Sequence, residues 1–290
     1  MSPDHLDPVD LPAHLPPARA ERREAGPPDT ARANRRWWDA EAATYLDEHG
    51  AFLGDCDLVW GPEGWTEEEL RVLGDPAGLA GLRVLEFGCG AAQVGRWLQL
   101  QGAQVVSSDL SVGMLRRAGH LNAATGVTVP LLQADATALP LAAASVDLVV
   151  SAYGAVPFVA DSALLMREAT RVLRPGGRLV FSTTHPIRWA LPDVPDAGGL
   201  HVTMSYFDRT PYVETADDGT VVYVEHHRTI GDRVREVVAA GLTLVDLIEP
   251  PWHPDNDEEW GGWSPLRGAL VPGTLTVVAT KPTAAAPLHG

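Results

Sequence analysis

The stretch from Val84 to Gly95, VLEFGCGAAQVG, constrains the fold of this 290-residue chain more than any other segment. Its apolar start predicts a strand that ends at Glu86, followed by a tight turn through Gly88 and Gly90 and then by a helix. A second acid, Asp109, closes the next predicted strand. Glycines let the backbone approach a ligand closely, and an acid at a strand end can bind both hydroxyls of a ribose. The segment therefore predicts an α/β domain that binds a nucleoside.

The spacing of the glycines separates two kinds of nucleoside ligand. A dinucleotide fold uses G-x-G-x-x-G, whose third glycine lets helix and strand pack closely beside a pyrophosphate. Here Gln93 stands at that third position, and the next glycine is Gly95. Glu86 would repel a pyrophosphate but suits a ligand with an ammonium or sulfonium group. The pattern favours a cationic ligand, and a nicotinamide-dependent oxidoreductase is the less favoured alternative.

Seven segments between about residues 37 and 281 resemble the class I S-adenosylmethionine-dependent methyltransferases, in their small-molecule, methyltransferase type 11-like branch. In chain order the segments are WWDAEAATY, VLEFGCG, VVSSDLS, LLQADATALPL, SVDLVVSAYG, VLRPGGRLVFST and EHHRTIGDRVREVVAAGL. The resemblance implies an enzyme that transfers a methyl group from S-adenosylmethionine to a small molecule by in-line displacement. A protein that binds this cofactor without transferring the methyl group is compatible with the same residues.

Strands alternate with helices along the centre of the chain, which predicts a parallel sheet with helices on both faces. The resemblance implies a Rossmann-like, doubly wound sheet of seven strands in which the last two strands form an antiparallel pair. The predicted strands are Leu82–Glu86, Val105–Ser108, Val129–Gln133, Val146–Ser151, Arg178–Thr183, Leu242–Ile248 and Thr274–Thr280. The predicted helices begin near Arg32 and include Thr66–Leu73, Gly95–Gln101, Val112–Asn122, Ala163–Leu173 and Gly231–Ala240.

The chain divides into an arm, one domain and a tail. Residues 1–31 are rich in Pro, Ala, Arg and Asp without hydrophobic periodicity, and we expect them to be disordered. Residues 32–281 form a single domain with a helical cap at its N-terminus and a core at 78–184 and 229–281. Residues 185–228 read as an inserted β-hairpin, or lid, with strands at His201–Tyr206 and Thr220–His226. Residues 282–290 read as a loose tail.

The resemblance places the cofactor site at the carboxyl ends of the strands and on the first helix. The expected cofactor-binding residues are Tyr45, Glu86, Gly88, Cys89, Gly90, Asp109, Leu110, Ser111, Met114, Asp135, Ala136, Ser151 and Tyr153. Asp109 would hold the ribose hydroxyls and Asp135 would accept the adenine amino group. Each of these two acids could instead cap the helix that follows it.

A hydroxyl acceptor would need a general base, and histidine is the usual one near neutral pH. The candidates are His185, directly after the fifth strand and expected to face the acceptor, and His226 and His227, ahead of the last helix. For each of them a structural role is the favoured alternative. We expect no metal, because the fourth strand ends in SAYG without the acid that binds magnesium in catechol-type enzymes, and residues 255–259 lack calcium-loop spacing.

Aromatic residues are concentrated in the insertions outside the nucleotide-binding core. Tryptophan in a loop rich in Pro and Gly is costly to leave exposed, so these residues predict a pocket for an apolar or aromatic acceptor. They are Trp189, Tyr206, Phe207, Tyr212, Trp252, Trp260 and Trp263. Packing of the inserted hairpin is the equally weighted alternative.

The net charge of −16 argues against nucleic acid and anionic membranes as partners, because binding to phosphates depends on Lys and Arg. The locally basic segment Arg19–Arg36 also contains Glu21 and Glu24, and we interpret it as a solvated arm. The N-terminus lacks the apolar stretch of a signal peptide, and two cysteines provide no disulfide framework. These features predict a cytoplasmic protein. The oligomeric state and the identity of the acceptor stay open.

Overall fold

The computed structural model describes residues 18–283. The strands in this part of the chain are β1 (Ala18–Arg22), β2 (Arg83–Phe87), β3 (Gln104–Asp109), β4 (Leu131–Gln133), β5 (Val146–Ser151), β6 (Leu173–Thr184), β7 (Tyr212–Ala216), β8 (Val221–Glu225), β9 (Thr243–Ile248) and β10 (Thr274–Thr280). The α-helices are α1 (Pro27–Leu53), α2 (Glu67–Leu70), α3 (Gln93–Leu100), α4 (Val112–Thr125), α5 (Ser162–Val172), α6 (Ile230–Ala239) and α7 (Pro265–Gly268).

Seven of these strands form one twisted sheet in the order β4-β3-β2-β5-β6-β10-β9. The strands from β4 to β6 run parallel, with Val84 of β2 opposite Val105 of β3 and Leu148 of β5. Strand β10 runs antiparallel to both β6 and β9. The predicted fold class, a doubly wound sheet with an antiparallel final pair, is confirmed.

Apolar side chains cover both faces of the sheet, as a parallel sheet between two helical layers requires. On one face Leu165 of α5 and Val237 of α6 pack against strand residues, and on the other Leu98 of α3 does. Strand β5 is buried along its whole length. This core fixes the register of the parallel strands, so their carboxyl ends and the residues that follow them meet at one edge.

The prediction that residues 1–31 form a disordered arm is wrong for residues 18–31. Strand β1 pairs antiparallel with β7, with Ala18 opposite Ala216. Helix α1 begins at Pro27, because the first turn of a helix tolerates proline. The pairing joins segments that lie far apart in the chain, so no local pattern reveals it. The first part of the predicted arm, residues 1–17, lies outside the described residues.

The inserted hairpin is present, but its first strand is not the predicted segment His201–Tyr206. Residues 201–206 are irregular, with bends at His201 and Met204 and a turn that begins at Tyr206, and the amide of Thr203 donates to the carbonyl of Ala190. The hairpin consists of β7 and β8, and β1 completes a separate three-stranded sheet in the order β1-β7-β8. The predicted helix Thr66–Leu73 is present as the shorter α2, which starts with a capping box of Thr66 and Glu69.

The structure describes only the start of the predicted tail. Residues 282 and 283 have no regular structure, and the rest of the predicted tail, 284–290, is outside the described part. Along residues 18–283, none of the helices has both the length and the apolar character that a bilayer crossing demands.

Candidate active site

A cavity of about 510 Å³ opens at the carboxyl ends of the parallel strands, where open α/β sheets bind their ligands. Its walls come from the loops after the strands, from α1 and from the insertions. The predicted cofactor-binding residues that line it are Tyr45, Glu86, Gly88, Cys89, Gly90, Asp109, Leu110, Met114, Asp135, Ala136 and Tyr153.

The turn after β2 depends on glycine in two different ways. Gly88 (φ 59°) and Gly90 (φ 52°) both adopt the left-handed backbone conformation that favours glycine. A Cβ atom on Gly88 would lie 2.7 Å from the Cβ of Ala155, and one on Gly154 would overlap the carbonyl oxygen of Gly88. A Cβ atom on Gly90 would meet open space. The turn is therefore packed against the loop after β5 at Gly88 and open toward the cavity at Gly90.

Asp109 joins this turn to the start of α4. One carboxylate oxygen accepts the amide of Gly90 at 2.9 Å, and the other accepts the amide of Ser111 at 2.8 Å. Burial raises the pKa of Asp109 to about 6. Ser111 itself does not line the cavity, because its hydroxyl caps α4 by accepting the amide of Met114 and donates to Asp39.

Glu86 lies deeper, beneath the turn. Its carboxyl accepts the hydroxyl of Ser107 at 2.5 Å, and burial raises its pKa to about 8. A Cβ atom on Gly95 would overlap the hydroxyl of Ser107 and lie 2.6 Å from Glu86 Oε2. Gly95 thus provides the close helix–strand packing that the third glycine provides in a dinucleotide fold. In this chain that glycine stands two positions later.

The loops after β4 and β5 supply the next part of the wall. Asp135 accepts the amide and hydroxyl of Thr137 through one oxygen, at 2.8 and 2.7 Å. Tyr153 has φ 60°, an uncommon value for a residue with a side chain, and its amide donates to Ser182. Ser151 is buried behind this loop, where its hydroxyl contacts the carbonyl of Gly154, and it does not line the cavity.

None of the three predicted histidines, His185, His226 and His227, lines the cavity, so the expectation that His185 faces the acceptor is wrong. Its Nδ1 accepts the amide of Ile187, and its Nε2 lies 2.7 Å from Glu249. His226 is buried with Nε2 3.0 Å from the hydroxyl of Thr30, and burial lowers its pKa to about 4. Both rings hold loops in place, which is the structural role that the sequence favoured.

The outer part of the cavity is aromatic. Of the seven aromatic residues predicted to form the acceptor pocket, Trp260 and Trp263 line it, whereas Trp189, Tyr206, Phe207, Tyr212 and Trp252 do not. The guanidinium groups of Arg22 and Arg188 instead lie over the Trp189 ring, 4.6 and 4.7 Å from its centroid. The other Trp, Tyr and Phe residues of the lining come from the first helix, the loop after β5 and the inserted sheet: Trp37, Trp38, Tyr45, Tyr153, Phe158 and Tyr223.

Sequence reasoning missed the charged residues at this end of the cavity. Arg188 follows β6 and Glu225 ends β8, and only the packing of the insertion brings them together. The carboxyl groups along the whole cavity are those of Glu41, Glu48, Asp57, Glu86, Asp109, Asp135, Asp193 and Glu225, and Arg188 is the guanidinium among them. The wall is strongly acidic and suits cationic ligands.

Comparisons with known proteins agree with this geometry. Residues 85–181 match a family described as a methyltransferase domain. An uncharacterized protein of Mycobacterium tuberculosis is 37% identical over 132 residues, which are 44% of this chain and 46%, about half, of that relative. Demethylmenaquinone methyltransferase of Corynebacterium kroppenstedtii is 32% identical over 172 residues, 55% of this chain and 69% of that enzyme.

A solved structure extends the likeness to most of the fold. The S-adenosylmethionine-dependent methyltransferase of Mesorhizobium loti is 30% identical, with a TM-score of 0.58 over 76% of this chain and 100% of that one. The glycine turn, the strand-end acids and these likenesses agree with one another. The chain belongs to the class I S-adenosylmethionine-dependent methyltransferases, the family whose methyl donor is S-adenosylmethionine.

Proposed function

We propose that this protein transfers the methyl group of S-adenosylmethionine to a small-molecule acceptor by in-line displacement. The observation that carries the proposal is a single cavity that joins two differently built ends. At one end lie the glycine turn and Asp109, and at the other lie the aromatic residues of α1 and of the inserted sheet. A donor and an acceptor can therefore meet within one enclosed space.

Three features of the cavity fit S-adenosylmethionine. Gly90 leaves its backbone open to the cavity, and Asp109 places a half-buried carboxylate beside it. Leu110, Met114 and Ala136 provide apolar walls for a base. The acidic lining suits a ligand with a sulfonium and an ammonium group.

In the proposed complex Asp109 accepts hydrogen bonds from the ribose hydroxyls, and Asp135 accepts one from the adenine amino group. Gly88 and Gly90 border the methionine half, and Tyr153 lies at the junction with the acceptor end. The bound donor supplies a methyl carbon that is already activated by the sulfonium. The chain's own contribution is to exclude water and to hold the acceptor in attack geometry, where effective molarities reach about 10⁵–10⁸ M.

A small molecule is the acceptor class that the structure supports best. The cavity volume lies within the range of about 300–1,000 Å³ typical of small-molecule sites. The C. kroppenstedtii relative is named for a small acceptor, demethylmenaquinone. A net charge of −16 opposes nucleic acid as an acceptor.

Asp109→Asn tests the cofactor half of the proposal. Removal of the charge weakens hydrogen bonds that are worth about 1.5–3 kcal/mol each with a charged partner, so we expect calorimetry to show about 10- to 150-fold weaker binding of S-adenosylhomocysteine. The matched control is Asp218→Asn, because Asp218 accepts one loop amide, that of Thr220, and lies outside the cavity. Equal affinities of the two variants would contradict the assigned role of Asp109.

Turnover tests the reaction itself. The wild-type protein is incubated with S-adenosylmethionine and a panel of small aromatic amines, alcohols, acids and thiols, and formation of S-adenosylhomocysteine is followed by mass spectrometry. We expect acceptor-dependent product. Tight binding of S-adenosylhomocysteine with no turnover on any acceptor would favour a protein that binds the cofactor without transferring the methyl group.

A further inference from the structure

Glu225 is a buried carboxylate that faces the acceptor end of the cavity. It ends β8 and is only 7% exposed, yet its side chain contributes to the cavity wall. One carboxylate oxygen accepts the hydroxyl of Tyr223 at 2.6 Å. Within residues 18–283 its second oxygen accepts no hydrogen bond. An acceptor oxygen that is free of protein donors and faces a cavity can bind a group that donates to it.

No cationic side chain neutralises Glu225 directly. In the described part of the chain no Lys, Arg or His nitrogen lies within 4.0 Å of its carboxylate. Arg188, the guanidinium in the cavity wall, is paired instead with Asp193 at 2.9 Å. Arg22 and Arg188 act on Glu225 through space, without an ion pair. Among the described residues, the Glu225 carboxylate therefore has no cation in direct contact.

Aromatic rings pack around Tyr223, whose hydroxyl donates to the Glu225 carboxylate. The ring centroid of Tyr223 lies 4.9 Å from that of Trp37 and 5.9 Å from that of Phe158. Trp38 lies 5.5 Å from Phe158, and all four rings line the cavity. Tryptophan and tyrosine faces attract an organic cation, most strongly where water is excluded. A carboxylate among such rings forms a site for an ammonium group.

This inference rests on the proposed function and names its substrate class. We propose that the methyl acceptor is an organic amine whose nitrogen binds Glu225 among Trp37, Trp38, Phe158 and Tyr223. An ammonium group brings both a positive charge into contact with the carboxylate and several N–H donors, whereas a hydroxyl supplies one donor and no charge. An anionic acceptor would be repelled by Glu225 and Asp193.

The reaction that follows is an N-methylation with a simple balance of atoms. The bound ammonium loses one proton to the Glu225 carboxylate and becomes a neutral amine. Its lone pair forms the new N–C bond while the C–S bond breaks, and the electrons of the broken bond stay on sulfur. The products are the methylated ammonium ion and the neutral thioether S-adenosylhomocysteine.

Three probes of similar size test the substrate class: 2-phenylethylamine, 2-phenylethanol and 3-phenylpropionate. Calorimetry on the full chain saturated with S-adenosylhomocysteine gives their affinities. Charge-assisted hydrogen bonds and ring contacts predict that the amine binds at least about tenfold more tightly than the alcohol. The anion should bind most weakly. An alcohol that binds as tightly as the amine overturns the proposal, and this comparison requires no variant.

Glu225→Gln tests whether Glu225 causes the preference for the amine over the alcohol. We expect the ratio of amine to alcohol affinity to fall to about one while the affinity for S-adenosylhomocysteine stays unchanged. The matched control is Glu214→Gln, since Glu214 accepts the hydroxyl of Tyr212 at 2.9 Å in the same arrangement on β7 but lies outside the cavity. The control should keep the wild-type ratio.

The outcomes separate this inference from the proposed function. A Glu225→Gln protein that keeps the amine preference contradicts the assignment of Glu225. A wild-type protein that binds S-adenosylhomocysteine but shows no amine preference contradicts the amine class alone. A wild-type protein that gives no heat with S-adenosylhomocysteine contradicts the methyltransferase function itself.

Discussion

At the scale of single side chains, burial shifts the pKa values of acidic residues in the cavity. Glu86 is buried and Asp109 is half-buried, and burial raises the pKa values of their carboxyl groups to about 8 and about 6. Glu86 is therefore largely protonated at neutral pH in the free protein. The sequence interpretation treated Glu86 as a fixed negative charge, because a strand-end acid gives no sign of how deeply it is covered.

The pKa of Glu86 predicts a specific dependence of stability on pH. Between the ordinary pKa of 4.5 and the folded value of about 8, the unfolded chain loses this proton while the folded chain keeps it. The free energy of unfolding therefore falls as pH rises, by up to about 1.4 kcal/mol per pH unit from this group. Glu86→Gln still accepts the Ser107 hydroxyl but cannot titrate, so it should lack this slope.

Urea unfolding of the two ligand-free proteins at pH 5, 6.5 and 8 measures the effect. We expect the stability of the wild type relative to Glu86→Gln to decrease steadily over this range, by about 1.4 kcal/mol per unit at most. A difference in the free energy of unfolding that stays constant from pH 5 to pH 8 would contradict the raised pKa.

The strand-end residues of the cavity could be predicted from the sequence, whereas the charged residues at its acceptor end could not. Asp109, Asp135 and Tyr153 meet because parallel strands with apolar cores align their carboxyl ends. Arg188 and Glu225 lie in or beside the insertion, whose packing no local pattern specifies. The assignment of each strand-end residue to a part of the cofactor stays a prediction.

At the scale of elements, the close contact of α3 with the sheet depends on a glycine within the helix. Gly95 lies against the hydroxyl of Ser107 and the carboxyl of Glu86. The motif G-x-G-x-x-G did not reveal it, because the turn here is two residues longer before the helix reaches its point of contact. Helix and strand types were predictable from apolar periodicity, while this contact depends on three-dimensional approach.

Two helical glycines provide a matched test of that contact. Gly95→Ala adds a Cβ that overlaps Ser107, so we expect a loss of about 1–3 kcal/mol in the free energy of unfolding from overpacking. Gly50→Ala in α1 adds a Cβ in open space and should gain about 0.5–1 kcal/mol through helix propensity. Chemical denaturation measures both, and effects of the same sign would contradict the packing argument.

At the scale of the whole molecule, the N-terminal segment holds the insertion over the cavity. Asn34 of α1 hydrogen-bonds both the amide and the carbonyl of Val224 in β8. Arg22 of β1 donates to the carbonyl of Thr210, next to β7. These contacts join the first described residues to residues about two hundred positions later. A sequence read segment by segment therefore predicts a free arm and a hairpin but not their joint sheet.

Deletion of residues 1–24 tests this arrangement because it removes β1 and leaves α1 intact. Strands β7 and β8 then form a two-stranded hairpin, which is marginal by itself, so its amides should open more easily. We expect hydrogen exchange in Tyr212–Ala216 to accelerate by at least about tenfold, while exchange in Thr274–Thr280 at the sheet core stays unchanged. Binding of S-adenosylhomocysteine should persist, since Gly90 and Asp109 lie outside the deleted contact. Unchanged protection of Tyr212–Ala216, measured by mass spectrometry, would show that β1 does not stabilise the cover of the cavity.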